Sequence, residues 1–494
     1  MKKALRTLLL CIALAGMLIP TTLQASDISV TIHGESVPFD GQGPVIVDGR
    51  TLVPVRGVFE QLGFVPRWDG SARQATLTRG SDTIVITIDS NVFTTNGAAY
   101  TLDVPAQIMN GATMLPLRAV LESVGYTLSW DSATRTVAIE RLQTAVLRPI
   151  AVAAGDGHSM AIMDDNSLWA WGWNDFGQIG GSSRRGADQG TPLRVMENVT
   201  TVSGGFGHTV ALAGDGNLWT WGFNTDGQIG DGSWTHRSRP FNVKQNVAYA
   251  TAGDQHTMAV TNDGVLWGWG SNMYGQLGIP RPAGASATEG LFHWQPVQVM
   301  ENIAAVSAGF AHTMAIDNNG ALWGWGNNRY NQVNNDDTRY HHAPVKIMDN
   351  VVAVSAGGGF SFAITNDGVL WGWGANVNGL LGDGTTTRRP EPVQIMENVA
   401  AVSAARSHTM AITTDGTLWG WGTNTVGQIG DGTIINRHSP VRIMENVTHV
   451  SATIFHTLAV TEDGKVWSWG GNMVYQLGDS TTIDRHLPGE VVFE

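Results

Sequence analysis

Residues 401–432 read AVSAARSHTMAITTDGTLWGWGTNTVGQIGDG: two alternating segments, a tight Asp-Gly turn, a Trp-x-Trp pair and a glycine-rich turn. Alternation of apolar and polar residues predicts β-strands, and Asp-Gly between two such segments predicts a two-residue hairpin. The same arrangement recurs along the chain. Its tryptophan pairs are Trp169/Trp171, Trp219/Trp221, Trp267/Trp269, Trp323/Trp325, Trp371/Trp373, Trp419/Trp421 and Trp467/Trp469.

A repeat period near 50 residues with four strand-like pieces per repeat predicts the blade of a β-propeller. Seven repeats fill residues 150–494, so we predict a mainly β fold with a seven-bladed propeller of four-stranded blades. The unit is expected to begin with a segment such as Pro392–Met396. The chain ends in such a segment, so residues 487–494 are expected to complete the first blade and close the ring.

A different duplication occupies residues 26–140. VIVDGRTLVPVRGVFEQLGFVPRWDG, from Val45, is echoed by the stretch from Gln107 onwards, with Pro54 and Pro116, and Trp68 and Trp130, each 62 residues apart. In each copy proline opens a short amphipathic helix and glycine ends it. We therefore predict a small duplicated α+β domain, with Arg56 and Arg118 pairing with Asp69 and Asp131.

These residues resemble two known families. The duplicated segment is similar to the copper amine oxidase N-terminal-like domain, an accessory module of exported bacterial proteins. A single histidine, His33, precedes His158, which argues against copper binding because copper favours several imidazoles. The strings Gly-x-x-His-Thr, Leu-Trp-x-Trp-Gly and Asn-x-x-Gly-Gln-Leu-Gly resemble the regulator of chromosome condensation repeat family.

Most residues that repeat in every blade are predicted to be structural. His158, His208, His256, His312, His408 and His456 occupy equivalent positions, with Phe360 in the fifth repeat. A histidine present in nearly every blade is expected to hydrogen-bond a neighbouring strand or turn, and not to join a metal ring. The repeated tryptophans are expected to fill the space between blades.

No catalytic signature accompanies the repeats. The sequence lacks a His-Glu-x-x-His motif, a phosphate-binding loop and a Gly-x-Ser-x-Gly elbow, and its single cysteine, Cys11, lies in the N-terminal apolar run. We therefore predict a protein that is not an enzyme, with no cofactor and no metal. A polysaccharide hydrolase or lyase using carboxylates from different blades stays an alternative.

The N-terminus and the charge constrain location and partners. Residues 1–25 have a basic stub, an apolar run and a small-residue cleavage site, as in a secretory signal peptide. The formal charge is −13, which becomes −16 when Lys2, Lys3 and Arg6 are removed with that segment. We expect a secreted, extracellular or cell-envelope protein with no transmembrane segment and no nucleic-acid partner, its two domains joined by a linker at residues 141–149.

The expected function is binding to a protein or a cell-wall polymer. The family resemblance also implies guanine-nucleotide exchange on a small GTPase, which export and acidity oppose. Another alternative is a secreted enzyme inhibitor resembling the propeller-type beta-lactamase inhibitory protein. The candidate ligand-binding residues lie in the long connections after each glycine-rich turn, because aromatic and arginine residues anchor interfaces; they are Trp234, His236, Arg237, Phe292, His293, Trp294, Tyr340, His341, His342, Arg388, Arg389, Arg437, His438, Arg485 and His486.

Overall fold

The structure, a computed structural model, describes residues 28–80, 82–141, 147–181, 186–284, 286 and 288–493. The chain divides into two compact units, which meet in sequence between residues 146 and 147. The predicted signal peptide and residues 142–146 of the predicted linker lie outside the described residues. Within the described residues, no helix has both the length and the apolar composition that crossing a membrane requires.

The N-terminal unit contains two short helices and short strands. Its elements are β1 (Ser29–Ile32), β2 (Glu35–Ser36), β3 (Val45–Val47), β4 (Arg50–Pro54), α1 (Val55–Gln61), β5 (Val65–Asp69), β6 (Gln74–Arg79), β7 (Asp82–Thr87), β8 (Val92–Thr95), β9 (Ala98–Thr101), β10 (Gln107–Met109), β11 (Ala112–Pro116), α2 (Leu117–Glu122), β12 (Tyr126–Asp131) and β13 (Thr136–Arg141). The predicted proline-started helices are confirmed, and Gly63 and Gly125 follow them with φ of 82° and 80°.

The two copies of the duplication share a core. Strands β4 and β11, one from each copy, pair antiparallel, and β1 pairs parallel with β13. The apolar faces of α1 and α2 are buried in the same cluster as strand residues such as Leu77 and Ile139. The predicted arginine pairs were wrong: Asp69 and Asp131 accept hydrogen bonds from the turn that follows each of them, while Arg118 lies 4.0 Å from Glu122.

The second unit contains seven four-stranded sheets within its described residues, which confirms the predicted propeller. Its strands are β14 (Pro149–Ala154), β15 (His158–Met163), β16 (Leu168–Gly172) and β17 (Gln189–Met196) in blade 1; β18 (Val199–Gly204), β19 (His208–Ala213), β20 (Leu218–Gly222) and β21 (Arg237–Lys244) in blade 2; β22 (Val247–Ala252), β23 (His256–Thr261), β24 (Leu266–Ser271) and β25 (Phe292–Met300) in blade 3; β26 (Ile303–Ala308), β27 (His312–Asp317), β28 (Leu322–Asn327) and β29 (Tyr340–Met348) in blade 4; β30 (Val351–Ala356), β31 (Phe360–Thr365), β32 (Leu370–Gly374) and β33 (Arg389–Met396) in blade 5; β34 (Val399–Ala404), β35 (His408–Thr413), β36 (Leu418–Gly422) and β37 (Arg437–Met444) in blade 6; β38 (Val447–Ala452), β39 (His456–Thr461), β40 (Val466–Gly470) and β41 (Arg485–Val491) in blade 7. A 3-10 turn, Val377–Gly379, follows β32.

Strand register defines two faces of the propeller. In blade 1, His158 pairs with Gly172, and Gly172 pairs with Gln189, so the turn before β15 and the long connection before β17 lie at the same end of the sheet. We call this end, with its counterparts in the other blades, the loop face. The hairpins between the second and third strands and the short links between blades form the opposite, hairpin face. The predicted two-residue hairpin loop was wrong: the amide of Ala213 donates to the carbonyl of Asn217 at 2.9 Å, so the loop has three residues, and Gly216 in it has a φ of 78°. Contacts between the first strands of neighbouring blades place those strands around the axis.

The predicted completion of blade 1 by the C-terminal strand was wrong. Strand β41 pairs with β40 in blade 7, and blade 1 has its own fourth strand, β17. The reason lies in the short link after each fourth strand. Asn198 in the first link has a φ of 57°, and the amide of Val199 then donates to the carbonyl of Asn166 in the hairpin of the blade just completed. The blade boundary therefore falls at this link, one strand later than predicted.

The ring closes through the same side-chain contacts that join other neighbouring blades. Each repeated histidine is buried, and its Nε2 lies within hydrogen-bond distance of a Thr or Ser hydroxyl of the next blade, as the sequence predicted. At the closure, His456 Nε2 lies 2.9 Å from Ser159 Oγ, which donates to the carbonyl of Gln476. Trp171 donates to that same carbonyl at 2.9 Å. Closure therefore needs no exchanged strand.

The tryptophan pairs fill the space between blades, as predicted. The second tryptophan of every pair is fully buried, and several donate their indole N–H to a carbonyl of the preceding blade. The first member packs on the same face of its strand and is half-buried in most blades. A buried aromatic ring removes a large apolar area from water, so these rings are a major stabilising term for the blade interfaces.

Candidate interaction surface of the propeller

The structure assigns four of the predicted ligand-binding arginines to the framework of the loop face. Arg237, Arg389, Arg437 and Arg485 bind Asp231, Asp383, Asp431 and Asp479, six residues earlier in the connections of blades 2, 5, 6 and 7. The other oxygen of each aspartate accepts from a Ser or Thr two residues later and from the repeated asparagine. These arginines stabilise their own loops, and their charge is already matched.

A second group of predicted residues packs against the neighbouring blade. Trp294, His342, His438 and His486 lie over Gly227, Gly275, Gly379 and Gly427 of the preceding blade, where a Cβ atom would collide with them. The φ of these glycines is near 80°, so glycine is needed for conformation as well as for space. Where blade 7 meets blade 1, the two residue types change places. Tyr475 of blade 7 occupies the position that glycine holds in the blades named above, and Gly190 of blade 1 lies opposite it.

Two predicted histidines hold the loops from within. His236 accepts a hydrogen bond from the backbone amide of Asn224 through Nδ1 at 3.0 Å. His341 is buried, and its Nε2 lies 2.9 Å from Asn334 Oδ1 and 3.2 Å from Asp336. The Asn334–Asp337 segment is therefore part of a hydrogen-bonded turn.

The remaining predicted residues are distributed around the rim of the loop face. Trp234, which is 63% exposed, meets Trp294 of the next blade edge to face, with ring centroids 5.6 Å apart. Phe292, His293 and Trp294 line a shallow groove beside Gly232. Tyr340 packs on Tyr274 at 5.4 Å, and Arg388 is exposed. The structure thus joins the candidates of blades 2 and 3 and does not gather the full set into one site.

A connected group of half-buried aromatic rings lies closer to the axis, on blades 1 and 2. We define the aromatic patch as Trp173, Phe176, Phe206, Phe223 and His236. Phe176 and Phe223 have ring centroids 4.7 Å apart, and Phe206 contacts both Trp173 and Phe223 at 5.6 and 5.7 Å. Clusters of partly exposed apolar side chains on a protein surface are typical of contact sites for other molecules.

Prediction from the sequence missed this patch, apart from His236. The signal lies inside the recurring part of the repeat and not in its long connections. The position before the repeated asparagine holds Trp173 and Phe223 in blades 1 and 2, but small or polar residues in the other five; they are Ser271, Asn327, Ala375, Thr423 and Gly471. The aromatic patch is therefore indicated by one repeat position at which the residue type changes between blades, and not by the lengths of the connections.

A charged cluster occupies the axis on the same face. Arg406 of blade 6 reaches Asp156 of blade 1 at 3.4 Å and Asp254 of blade 3 at 3.3 Å, and its guanidinium lies 4.1 Å from the centroid of the Phe310 ring. Asp156, Asp254, Phe310 and Arg406 occupy the position two residues before the repeated histidine, and Phe206 of the aromatic patch occupies the same position in blade 2. This position follows a glycine in blades 1 to 4 and follows Ala405 in blade 6. The turns of several blades thus meet in a cavity of about 190 Å³ around the axis.

Burial dominates the electrostatics of this cluster. Burial and the charge of Asp254 raise the pKa of Asp156 to about 7, with Arg406 opposing the change. Burial likewise raises the pKa of Asp254 to about 6. One guanidinium is shared between two carboxylates, so the cluster carries excess negative charge whenever both are ionised. Among the described residues, no group of three or more His, Cys, Asp or Glu side chains is arranged to hold a metal ion.

Comparison with known proteins agrees with both units. Residues 31–139 match the copper amine oxidase N-terminal domain family. Residues 125–352 match the RCC1-like domain, and residues 367–412, 415–460 and 463–494 match the regulator of chromosome condensation (RCC1) repeat.

Solved structures show the same propeller fold. Prp20p from Saccharomyces cerevisiae, studied for its binding to Gsp1p and histones, is 20% identical, with a TM-score of 0.60 over 70% of this chain and 86% of that one. Human WBSCR16 is 19% identical, with a TM-score of 0.59 over 66% of this chain and 94% of that one. The chain thus has an N-terminal segment that matches the copper amine oxidase N-terminal domain family, followed by a seven-bladed propeller whose sequence matches the RCC1-like domain and the regulator of chromosome condensation (RCC1) repeat.

Proposed function

We propose that this is an exported, non-enzymatic scaffold whose propeller binds a protein through the loop face of blades 1–3. The observation that carries the proposal is the aromatic patch. Its rings are half-buried in the free chain, and aromatic side chains provide most of the energy of protein interfaces when a partner covers them. The exposed pair of Trp234 and Trp294 extends the same surface outward.

The fold gives a precedent for this use. Prp20p binds Gsp1p and histones, so protein binding occurs on a propeller of this architecture. The excess of acidic residues in this chain favours a basic partner near the axis, where Asp156 and Asp254 share one arginine. Aromatic contacts would supply affinity, and the carboxylates would orient the partner.

The test compares capture by three forms of the chain. The unchanged chain, Phe176→Ala/Phe223→Ala and a hairpin-face control, Asp263→Asn, are immobilised and exposed to secreted and cell-envelope proteins. We expect one protein to be retained by the unchanged chain and the control and lost by the double variant, with all three melting alike. Equal retention by the double variant would place the binding surface elsewhere.

The axial carboxylates support one alternative, hydrolysis of a polysaccharide. A hydrolase would use two carboxyl groups of different pKa, and the axis brings Asp156 and Asp254 to one guanidinium. Arg406 occupies the space between them, which favours binding over catalysis. Release of reducing ends from a polysaccharide panel, abolished in Asp156→Asn, would establish the alternative.

A further inference from the structure

A large groove lies in the N-terminal unit and has no role in the proposed function of the propeller. It is a groove of about 960 Å³ formed by three segments: residues 38–42, the first turns of α1 with the adjoining strand β5, and the β10–β11 hairpin. Trp68 lies in β5 opposite Ala75, and its side chain is 47% exposed. Ile108 adds a second exposed apolar side chain, at 48%.

Polar side chains without partners surround the exposed indole. Among the described residues, the side chains of Asp40, Arg56, Glu60 and Arg67 make no hydrogen bond and no ion pair, although all four line the groove. Asn110 donates to Gln42 at 2.6 Å and joins the two sides of the groove. The groove therefore offers two acidic groups, two basic groups and amides, with no net charge.

The second copy of the duplication provides an internal comparison. Gly57 leaves room for Phe39, whose Cε1 would lie 2.7 Å from a Cβ atom at that position, whereas the second copy has Ala119 there. Phe39, Asp40 and Arg67 are replaced by Thr101, Leu102 and Ser129. Arg118 approaches Glu122 at 4.0 Å, but the equivalent Arg56 and Glu60 stay unpaired. Trp130 keeps its exposure, 42%, without these neighbours.

We propose that the groove around Trp68 binds a linear chain of pyranose sugars. A pyranose presents C–H groups on its flat face, which pack on an indole, and hydroxyl groups at its rim, which hydrogen-bond carboxylates, guanidinium groups and amides. The balanced charge disfavours an anionic or cationic polymer. The groove volume of about 960 Å³ can hold several sugar rings. Arg56 and Glu60 lie on α1 and Arg67 lies on β5, elements that need not reorganise when a ligand binds.

The test is isothermal titration calorimetry of the full chain with three hexasaccharides: β-1,4-linked glucose, β-1,4-linked N-acetylglucosamine and α-1,4-linked glucose. We expect at least one to bind. Trp68→Ala should weaken that binding about tenfold, while Trp68→Phe restores most of it. The matched control, Trp130→Ala, should change the affinity less than about twofold. Gly57→Ala, which displaces Phe39, should also weaken binding.

Several outcomes would overturn the proposal. They are failure of all three sugars to bind, equal binding by Trp68→Ala, and loss of binding in Trp234→Ala instead of Trp68→Ala. A cell-wall stem peptide that binds at Trp68 when the sugars do not would show a peptide site. The propeller experiment uses different variants and a protein partner, so failure of one proposal leaves the other intact.

Discussion

At the scale of single residues, the repeated histidines show how one side chain serves the same purpose in each blade. Each buried imidazole stays neutral, because burial lowers its pKa to about 3, and its Nε2 meets a hydroxyl of the next blade. Their structural role was predictable from the sequence because recurrence in nearly every blade implies a function within the blade. Phe360 shows that the position tolerates an apolar ring of similar size.

Replacement of one of these histidines should therefore depend on the volume of the new side chain. We expect His312→Ala to lower the free energy of unfolding by about 2–4 kcal/mol, since it leaves a cavity and removes a hydrogen bond. His312→Phe should cost less, because Ser361 keeps its bond to the carbonyl of Gln332 at 2.7 Å. Chemical denaturation measures both. A larger loss in the phenylalanine variant would contradict this account.

The axial carboxylates should make stability depend on pH. Asp156 has a pKa of about 7 in the folded chain against an ordinary value of 3.8, so between these values the folded state holds a proton that the unfolded chain has released. Its contribution to stability is therefore present at low pH and is lost as the pH rises to about 7. Asparagine cannot ionise, so the Asp156→Asn variant does not lose this stability as the pH rises. The stability of the variant relative to the unchanged chain should therefore increase from pH 4 to pH 8. Melting temperatures of both chains measure the difference, and a difference independent of pH would contradict the shift.

At the scale of elements, strands and hairpins were predictable, but the functions of the long connections were not. Alternation and Asp-Gly turns indicate where strands lie, because both are local properties of the chain. The partners of Arg237 or Arg389 depend on how a loop folds back on itself. The sequence analysis therefore predicted these arginines as anchors for a ligand. In the structure, four of them form ion pairs within their own loops.

The loop ion pairs give a test with a neighbouring control. Arg389→Ala leaves Asp383, whose side chain is 7% exposed, without its guanidinium partner, so we expect a loss of about 1–2 kcal/mol. Arg388→Ala removes an exposed charge next to it and should change stability by less than about 0.5 kcal/mol. Urea denaturation separates the two. Equal stability of both variants would show that the ion pair does not hold the loop.

At the scale of the whole molecule, the seven blades were predictable from the repeats, whereas the way the ring closes was not. The sequence shows the order of strands but not which sheet a strand joins. The terminal segment still reaches the first blade, by packing: Phe493 meets Trp169 and Trp171 edge to face at 5.8 and 5.9 Å.

That contact predicts how the C-terminus stabilises the ring. Phe493→Ala should lower the melting temperature of the propeller, because it removes an aromatic ring from the interface between blades 7 and 1, at a cost of about 1–3 kcal/mol. Ile483→Ala, at a residue 73% exposed on the last long connection, is the control and should have little effect. Calorimetry of both variants provides the comparison, and an unchanged transition in Phe493→Ala would refute this closure contact.

The most direct test of the central claim, that the propeller binds a protein through its loop face, is site-specific photo-crosslinking. A benzophenone amino acid placed at Phe206, in the aromatic patch, and separately at exposed Tyr249 in β22, is activated in the presence of secreted and cell-envelope proteins. The account predicts one discrete cross-linked protein from position 206 and none from position 249. Cross-linking from position 249 with none from position 206 would contradict it.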